Sequence, residues 1–447
     1  MYKRVIYWFK RDLRIEDNKA FHEACIKSKE LIPVFIFIPE ILEKLDAFDK
    51  RLGFIIDCLK NLNKKINEKG STLYVFYDSA EKVFPYLIQK YKPRAVFSNK
   101  SLSYTGEEIE KRIIEICKRN GIDYNAYNDN FLCNIENLPY KKIFSYFYKK
   151  WKENLILATY ASPDKINTPK IKETQLEQII RKIKYQPNPI WKADFIYSRL
   201  KDFDFKNYEY TRNRLDIDGT SKLSPYIRFG VVSLRNIYKK ALETSGEDCQ
   251  FIKELAWREF WYHIKINFPQ FKNLEFQEKR RGIKWQRDDK LLKAFTEAQT
   301  GYPIIDASIR QLKNENWMHN RARMIVASFF TKDLFMDWRE GERFFMKYLI
   351  DYDEIVNIGN WQWNASVGPD PKPLRIFNPI IQAKKFDTEG NFIKKYVPEL
   401  KKYPANMIHD PLKFQLPYHK PVVDHFERVL MIKKIYFKKK ISNFTIS

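Results

Sequence analysis

Four short apolar runs fall in the first hundred residues: "RVIYWF" from position 4, "LIPVFIFI" from 31, "STLYVFY" from 71 and "RAVFSN" from 94. Runs of this length, rich in β-branched and aromatic residues, read as strands covered on both faces. Between and after them, "KRLGFIIDCLKNLNKKINEKG" and "GEEIEKRIIEICKRNG" carry a helical period, and each is closed by a glycine. Strands alternating with helices build a parallel sheet with right-handed crossovers, which takes its ligands at the carboxyl ends of the strands. The pattern predicts an α/β, Rossmann-like parallel-sheet domain over residues 1–130. From 131 to 190, "ATYASPDKINTPKIKETQ" and "YQPNPI" carry proline and polar residues without a steady period, which reads as an interdomain connection. Beyond about 190 the strand-like runs stop and helical periods take over, predicting a larger all-helical domain over 191–447. A chain of 447 residues is more than one core usually holds.

Charge narrows the partner. Lysine and arginine total 81 against 56 acids, a net +25, and an excess of that size points to a polyanion, most often nucleic acid. A plain bias toward lysine is the alternative, and the run "KKIYFKKKIS" reads as a solvated end. The five cysteines, Cys25, Cys58, Cys117, Cys133 and Cys249, have no CxxC spacing and one would be left unpaired, which argues for reduced thiols and against zinc. No apolar run approaches the ~18 residues of a membrane span. The first residues, "MYKRVIYWFKRD", lack the form of a signal peptide. A soluble, intracellular, cytoplasmic protein is the expectation. The thirteen glycines never form GxG, so neither the dinucleotide fingerprint nor a P-loop is present.

Four stretches of the helical half carry unusual chemistry. In "FIKELAWREFWYHIKI", Glu254, Trp257, Arg258 and Trp261 share one helical stripe, a poor core face because buried charge needs partners. In "NWMHNRARMIVASFF", Asn320, Arg323 and Met324 share a face; an ordinary capped amphipathic helix would read the same way. "LIDYDEIVNIGNWQW" sets Asp351, Asp353 and Asn357 ahead of two indoles, Trp361 and Trp363, that leave a helix about 200° apart and cannot share a face. Two nearby carboxylates need a cation, for which Arg323 is a candidate; a metal is the rival, although no histidine lies close. "YEYTRNRLDIDGTSKLSPYIRFG" offers Tyr208, Arg212, Thr220, Ser221 and Ser224 around Gly219, where hydroxyls and backbone N–H groups at a helix start would seat an anion, or serve as a simple N-cap.

Together, "WFKRDLRIEDN", "GTSKLSPYIRFG", "ELAWREFW", "NWMHNRARM", "DWREGERFF" and "NWQWNASVGPDPKPLRIFNP" resemble the photolyase/cryptochrome flavoproteins from one end of the chain to the other. The resemblance implies a U-shaped FAD within the helical domain. It places Tyr208, the turn Thr220, Ser221, Lys222, Leu223 and Ser224, and Arg258 at the FAD phosphates. Arg323 and Asp351 would pair at the isoalloxazine edge, with Asp353 as a second flavin contact. Asn357 would face flavin N5, where an amide can both donate and accept and so favours the reduced flavin. Trp361, Trp338 and Trp285 match the inner, middle and outer members of an electron-transfer triad. Trp363 and Trp257 match the aromatic wedge around a flipped pyrimidine dimer, so the two adjacent indoles would diverge because they serve different tasks.

Within that family the residues favour the cyclobutane pyrimidine dimer photolyases, which lend an electron from light-excited, reduced FAD to the dimer. Glu254 and Asn320 would hydrogen-bond the thymine carbonyls and Met324 would pack on the lesion. The (6-4) photolyases carry histidines where this chain has Asn320 and Met324, neither of which can act as a general acid. A cryptochrome photoreceptor is the other alternative, although only 36 residues follow "YPANMIHDP", too few for a long signalling tail. Arg212, Arg321, Arg375 and Gln382 match positions that contact damaged DNA around the pocket. The protein is expected to act as a monomer. The family also implies a second, light-harvesting chromophore near the α/β domain. Here "SNKSLSYTGEE" departs from the folate-binding pattern, so folate, deazaflavin, a second flavin and an empty site all stay open.

Overall fold

In the computed structural model, residues 1–43, 50–173, 176–181, 183 and 185–437 are described. Part of the terminal lysine run lies outside them. The apolar runs of the N-terminal region form strands β1 (Tyr2–Phe9), β2 (Ser28–Phe37), β3 (Tyr74–Tyr77) and β4 (Ala95–Asn99). A fifth strand, β5 (Asp123–Tyr127), completes a sheet of order β3-β2-β1-β4-β5, with every pair parallel. That is the order of the first five strands of a Rossmann sheet, with the reversal between β1 and β4. Register brings Val5 opposite both Leu31 and Ala95, and Val34 opposite Tyr74. Ile6, Trp8, Ile32, Val34 and Val96 then form one core with Phe84, Leu87, Ile109 and Ile113 of the flanking helices.

The helix Lys50–Glu68 is followed by Gly70 at φ +83°, and Tyr104–Arg119 by Gly121 at φ +65°. Both glycines take the left-handed conformation that ends a helix at low steric cost. At the carboxyl ends of β1 and β4, the Tyr7 hydroxyl donates to Asp12, and Asn99 Nδ2 donates to Asp12 Oδ2 at 2.8 Å and Asn18 Oδ1 at 3.0 Å. The chain's own side chains thus bond to one another at the switch point.

The chain divides into two compact units. The first comprises Met1–Asn207, Ser221–His263 and Ile350–Glu354; the second comprises Tyr208–Thr220, Ile264–Leu349 and Ile355–Ser447. The first unit holds the sheet and also a helix, Phe144–Glu153, within the stretch whose sequence lacks a steady period. Its inner face is aromatic rather than aliphatic, with Phe147 and Trp151 fully buried. The second unit contains no named strand among the described residues. Its helices include Pro303–Glu315, Asn320–Ser328, Trp338–Tyr348 and most of Glu354–Asn364. After Asn320–Ser328 comes a π-helical turn, Phe329–Asp333. That turn buries Lys332, whose Nζ donates to the Asn364 carbonyl at 3.0 Å. No helix among the described residues is long and apolar enough to cross a membrane.

Candidate active site

In the first unit the candidate side chains lie on three stretches: residues 221–228, 250–263 and 350–354. Ser224 Oγ donates to Asp351 Oδ2 at 2.5 Å. Leu223 N donates to Ser221 Oγ at 3.3 Å, and Lys222 sits at φ +51°, so the turn is held in a conformation unusual for a lysine. The helix that follows, Ser224–Arg228, has five residues, and Pro225 removes one of its free N–H groups. The backbone seat for an anion expected at this turn is therefore reduced, and its capacity rests on the side-chain hydroxyls, Lys222 and nearby guanidiniums.

Those guanidiniums surround Asp353. Burial would raise its carboxyl, but Arg228, Arg11 and Arg258 and a hydrogen bond from the Tyr262 hydroxyl (2.6 Å) outweigh burial and hold it below the usual range. Loss of hydration around half-buried Arg228, together with Arg11, lowers its own value to about 10. It donates through Nε to the Tyr352 carbonyl, while its Nη1 has no hydrogen-bond partner among the described residues. Arg258 lies over Phe131 and Tyr262 and gives Nη1 to the Asn130 carbonyl at 2.9 Å.

The helix Gln250–Asn267 displays the predicted stripe. Glu254 Oε1 accepts from Gln250 Nε2 at 2.8 Å. Trp257 lies flat against Phe144, with ring centroids 3.6 Å apart and planes 5° from parallel. One face of the indole is thus covered by a ring that sequence spacing does not connect to it. Trp261, the last member of the stripe, is buried.

In the second unit the two neighbouring indoles differ in burial: Trp361 is 1% exposed, whereas Trp363 is half-buried beneath the Arg375 guanidinium, 4.3 Å from its ring. Arg375 is itself paired with Asp370. Trp361 is edged by Phe330 and Phe345, with centroids at 5.7 and 5.0 Å. It packs on the helix Trp338–Tyr348 at Gly341, where a Cβ would lie 2.2 Å from a ring carbon. One turn earlier on the same helix, Trp338 is buried, and its Nε1 donates to Glu275 Oε1 at 3.3 Å. Trp285 is half-buried against Phe335, at 5.3 Å. Asn357 Nδ2 donates to Glu342 Oε1 at 3.0 Å.

At the start of Asn320–Ser328, His319 is buried and its Nδ1 caps the helix by accepting from Arg321 N at 3.0 Å. Exposed Asn320 and half-buried Met324 lie together, Nδ2 to Sδ at 3.9 Å. Arg321 donates to Asn213 Oδ1 at 2.5 Å and stacks on Phe386. Arg323 Nε donates to the Met318 carbonyl at 2.8 Å. Arg212 lies 5.8 Å over Tyr208, Thr211 Oγ1 donates to the carbonyl of Gly219, next to Thr220, and half-buried Gln382 sits on the helix Pro379–Phe386. Phe144, Arg228, Tyr262, Glu275 and Gly341 escaped the sequence reading. Of these, Arg228, Tyr262 and Gly341 lie inside the segments quoted above, whereas Phe144 and Glu275 carried no local signal.

The donor chemistry fits an FAD. A pyrophosphate asks for hydroxyl, ammonium and guanidinium donors, and Ser221, Ser224, Lys222 and the unfilled Nη1 of Arg228 supply them within one unit. Comparisons with known proteins agree. The family described as the FAD binding domain of DNA photolyase matches residues 251–437, and the family described as DNA photolyase matches residues 5–170. The deoxyribodipyrimidine photo-lyase of a Synechococcus species is 34% identical over 97% of this chain and 96% of its own length. An archaeal photolyase from Sulfolobus tokodaii, solved with two FAD molecules, superposes with a TM-score of 0.86 at 32% identity, covering 97% of this chain and 99% of that one. A Synechocystis cryptochrome gives 0.87 at 25% identity, covering 97% and 99%. With sequence, fold and donor set in agreement along nearly its whole length, the chain belongs to the DNA photolyase family.

Proposed function

We infer that the protein repairs cyclobutane pyrimidine dimers in UV-damaged DNA, using light and a reduced FAD. When bound, reduced FAD supplies a light-driven electron that is lent to the dimer and returned after the ring has split. The observation that carries the choice of lesion is the start of Asn320–Ser328. Asn320 and Met324 lie together at the surface, while the adjacent His319 is buried, with its Nδ1 capping the helix. That surface can donate a hydrogen bond and offer a soft apolar contact, and it holds no general acid of the kind a (6-4) reaction needs.

The remaining roles are assigned residue by residue. Tyr208, Thr220, Ser221, Lys222, Leu223, Ser224 and Arg258 hold the phosphates. Arg323, Asp351, Asp353 and Asn357 face the flavin ring, with Asn357 supporting the reduced form. Trp285, Trp338 and Trp361 relay electrons inward when the flavin has become oxidised. Glu254, Trp257, Asn320, Met324 and Trp363 take the flipped dimer, whose extrusion costs a few kcal/mol and least for a damaged, poorly stacked pair. Arg212, Arg321, Arg375 and Gln382 contact the strand around it. The protein works as a cytoplasmic monomer; its five free cysteines suit a reducing compartment, and no helix among the described residues is long and apolar enough to cross a membrane. The α/β domain seats a second chromophore, and the archaeal relative with two FAD molecules favours a flavin over a folate or deazaflavin.

A repair assay tests this reading: blue light on reduced protein with dimer-containing oligonucleotide is expected to restore thymines. Flavin photoreduction without thymine recovery would instead support a cryptochrome-type photoreceptor, which the Synechocystis likeness keeps as the second reading.

A further inference from the structure

We propose that Glu275 is the proton acceptor that makes Trp338 the charge-trapping member of the tryptophan series, an inference that rests on the electron-relay reading above. Trp338 and Glu275 are both buried, and the indole Nε1 donates to the carboxylate at 3.3 Å. The Arg339 guanidinium lies 4.5 Å from the centre of the Trp338 ring and 2.9 Å from Glu275. An indole that has lost an electron either stays a radical cation or releases its N–H proton and becomes a neutral radical. A guanidinium over the ring is attracted to the neutral indole and repelled by the cation. Paired with Glu275, the same guanidinium fixes the carboxylate oxygen Oε1 in place beside the indole N–H, where it can receive the proton. Both neighbours therefore drive oxidised Trp338 toward the neutral radical.

Trp361 has the opposite surroundings. Its Nε1 is buried with no hydrogen-bond partner among the described residues, and its ring is edged by Phe330 and Phe345. A hole on Trp361 has no base to take its proton and remains a cation. The step between the two indoles then balances as follows. One electron passes from Trp338 to the Trp361 radical cation, restoring neutral Trp361. The Nε1 proton of Trp338 moves to Glu275, leaving a neutral Trp338 radical and a neutral carboxylic acid. The oxidant is the Trp361 radical cation, produced by the photoexcited oxidised flavin of the proposed function. Reversal requires the proton to return with the electron, so charge separation persists from the buried middle indole, before half-buried Trp285 takes part.

Flash absorption of the FAD-loaded protein separates cationic from neutral indole radicals, and ultraviolet resonance Raman reads the Trp338 N–H hydrogen bond without a flash. Glu275→Gln keeps an acceptor oxygen but takes up no proton. In the wild type and in Trp285→Phe the neutral radical is expected to form. In Glu275→Gln, with its Raman hydrogen-bond signature retained, only the cationic radical is expected, with charge recombination at least tenfold faster. Neutral radical and recombination unchanged in Glu275→Gln would overturn the role of Glu275. So would a neutral radical that disappears in Trp285→Phe, since the proton would then leave from the outer indole. Wild-type photoreduction in Trp338→Phe would overturn the relay reading itself, and the role of Glu275 with it.

Discussion

A Cβ at position 341 would lie 2.2 Å from one Trp361 ring carbon and 2.3 Å from another, so the indole occupies space that only glycine leaves open. Trp361 is thereby held against the helix that begins with Trp338. Gly341→Ala is expected to destabilise the fold by about 1–3 kcal/mol through overpacking and to slow flavin photoreduction by moving the ring. Chemical denaturation and steady illumination of oxidised protein check the two effects; a variant unchanged in both would show that the ring has room to shift freely. Trp338→Phe keeps an aromatic of similar shape and removes the oxidisable indole. Photoreduction is expected to slow at least tenfold, far more than repair by chemically reduced protein, and equal loss of both would contradict a relay role. At this scale the legible residues were those inside long motifs, Trp338, Trp361 and Asn357 among them. Glu275 meets Trp338 across 63 positions, and Phe144 meets Trp257 across more than a hundred; neither the helical nor the strand period connects such pairs.

Elements were legible where burial imposed a pattern. Strands β1, β2 and β4 are largely buried and the edge strand β3 is buried over its first half, so their apolar runs stand out; β5 is a half-buried edge strand reading "DYNAY", with no such run. The helix Phe144–Glu153 hid for a related reason: its packed face is aromatic, between lysines, in a stretch dominated by proline and polar residues. That helix and Gln250–Asn267 share a buried carboxylate. Glu259 accepts from Leu132 N at 2.6 Å, from Trp151 Nε1 at 2.7 Å and from the Cys133 thiol. Burial pushes its carboxyl up to about 7 despite those donors and Arg258. An acid whose value is raised on folding is bound to its proton more tightly in the folded state, so stability falls as pH climbs between the unfolded and folded values. Between about pH 4.5 and 7 Glu259 is expected to remove on the order of 3 kcal/mol. Asp387, pushed up to about 6 by burial, acts in part of the same window. The test is therefore a difference: Glu259→Gln should flatten the fall in unfolding free energy relative to wild type, and parallel curves would refute the assignment.

Over the whole molecule, each compact unit gathers segments that are distant in sequence, Ile350–Glu354 joining Met1–Asn207 for instance, and no periodicity announces such a return. Net charge needs no folding to be read. A total of +25 acts on a polyanion through release of its counterions, so affinity should fall linearly on a logarithmic salt scale. On the proposed function, lesion recognition draws on other interactions: the cost of extruding the base pair and the contacts assigned there to Glu254, Asn320, Met324, Trp257 and Trp363, which release no ions beyond those lost on docking. Damaged and intact duplexes carry the same phosphates. If about six are neutralised, both affinities should drop by about 10³ between about 50 and 200 mM salt, while their ratio stays within a few-fold. Titration of paired oligonucleotides, one with a single dimer, measures both quantities. A ratio that collapsed with salt would place discrimination in the charged surface and remove it from the pocket.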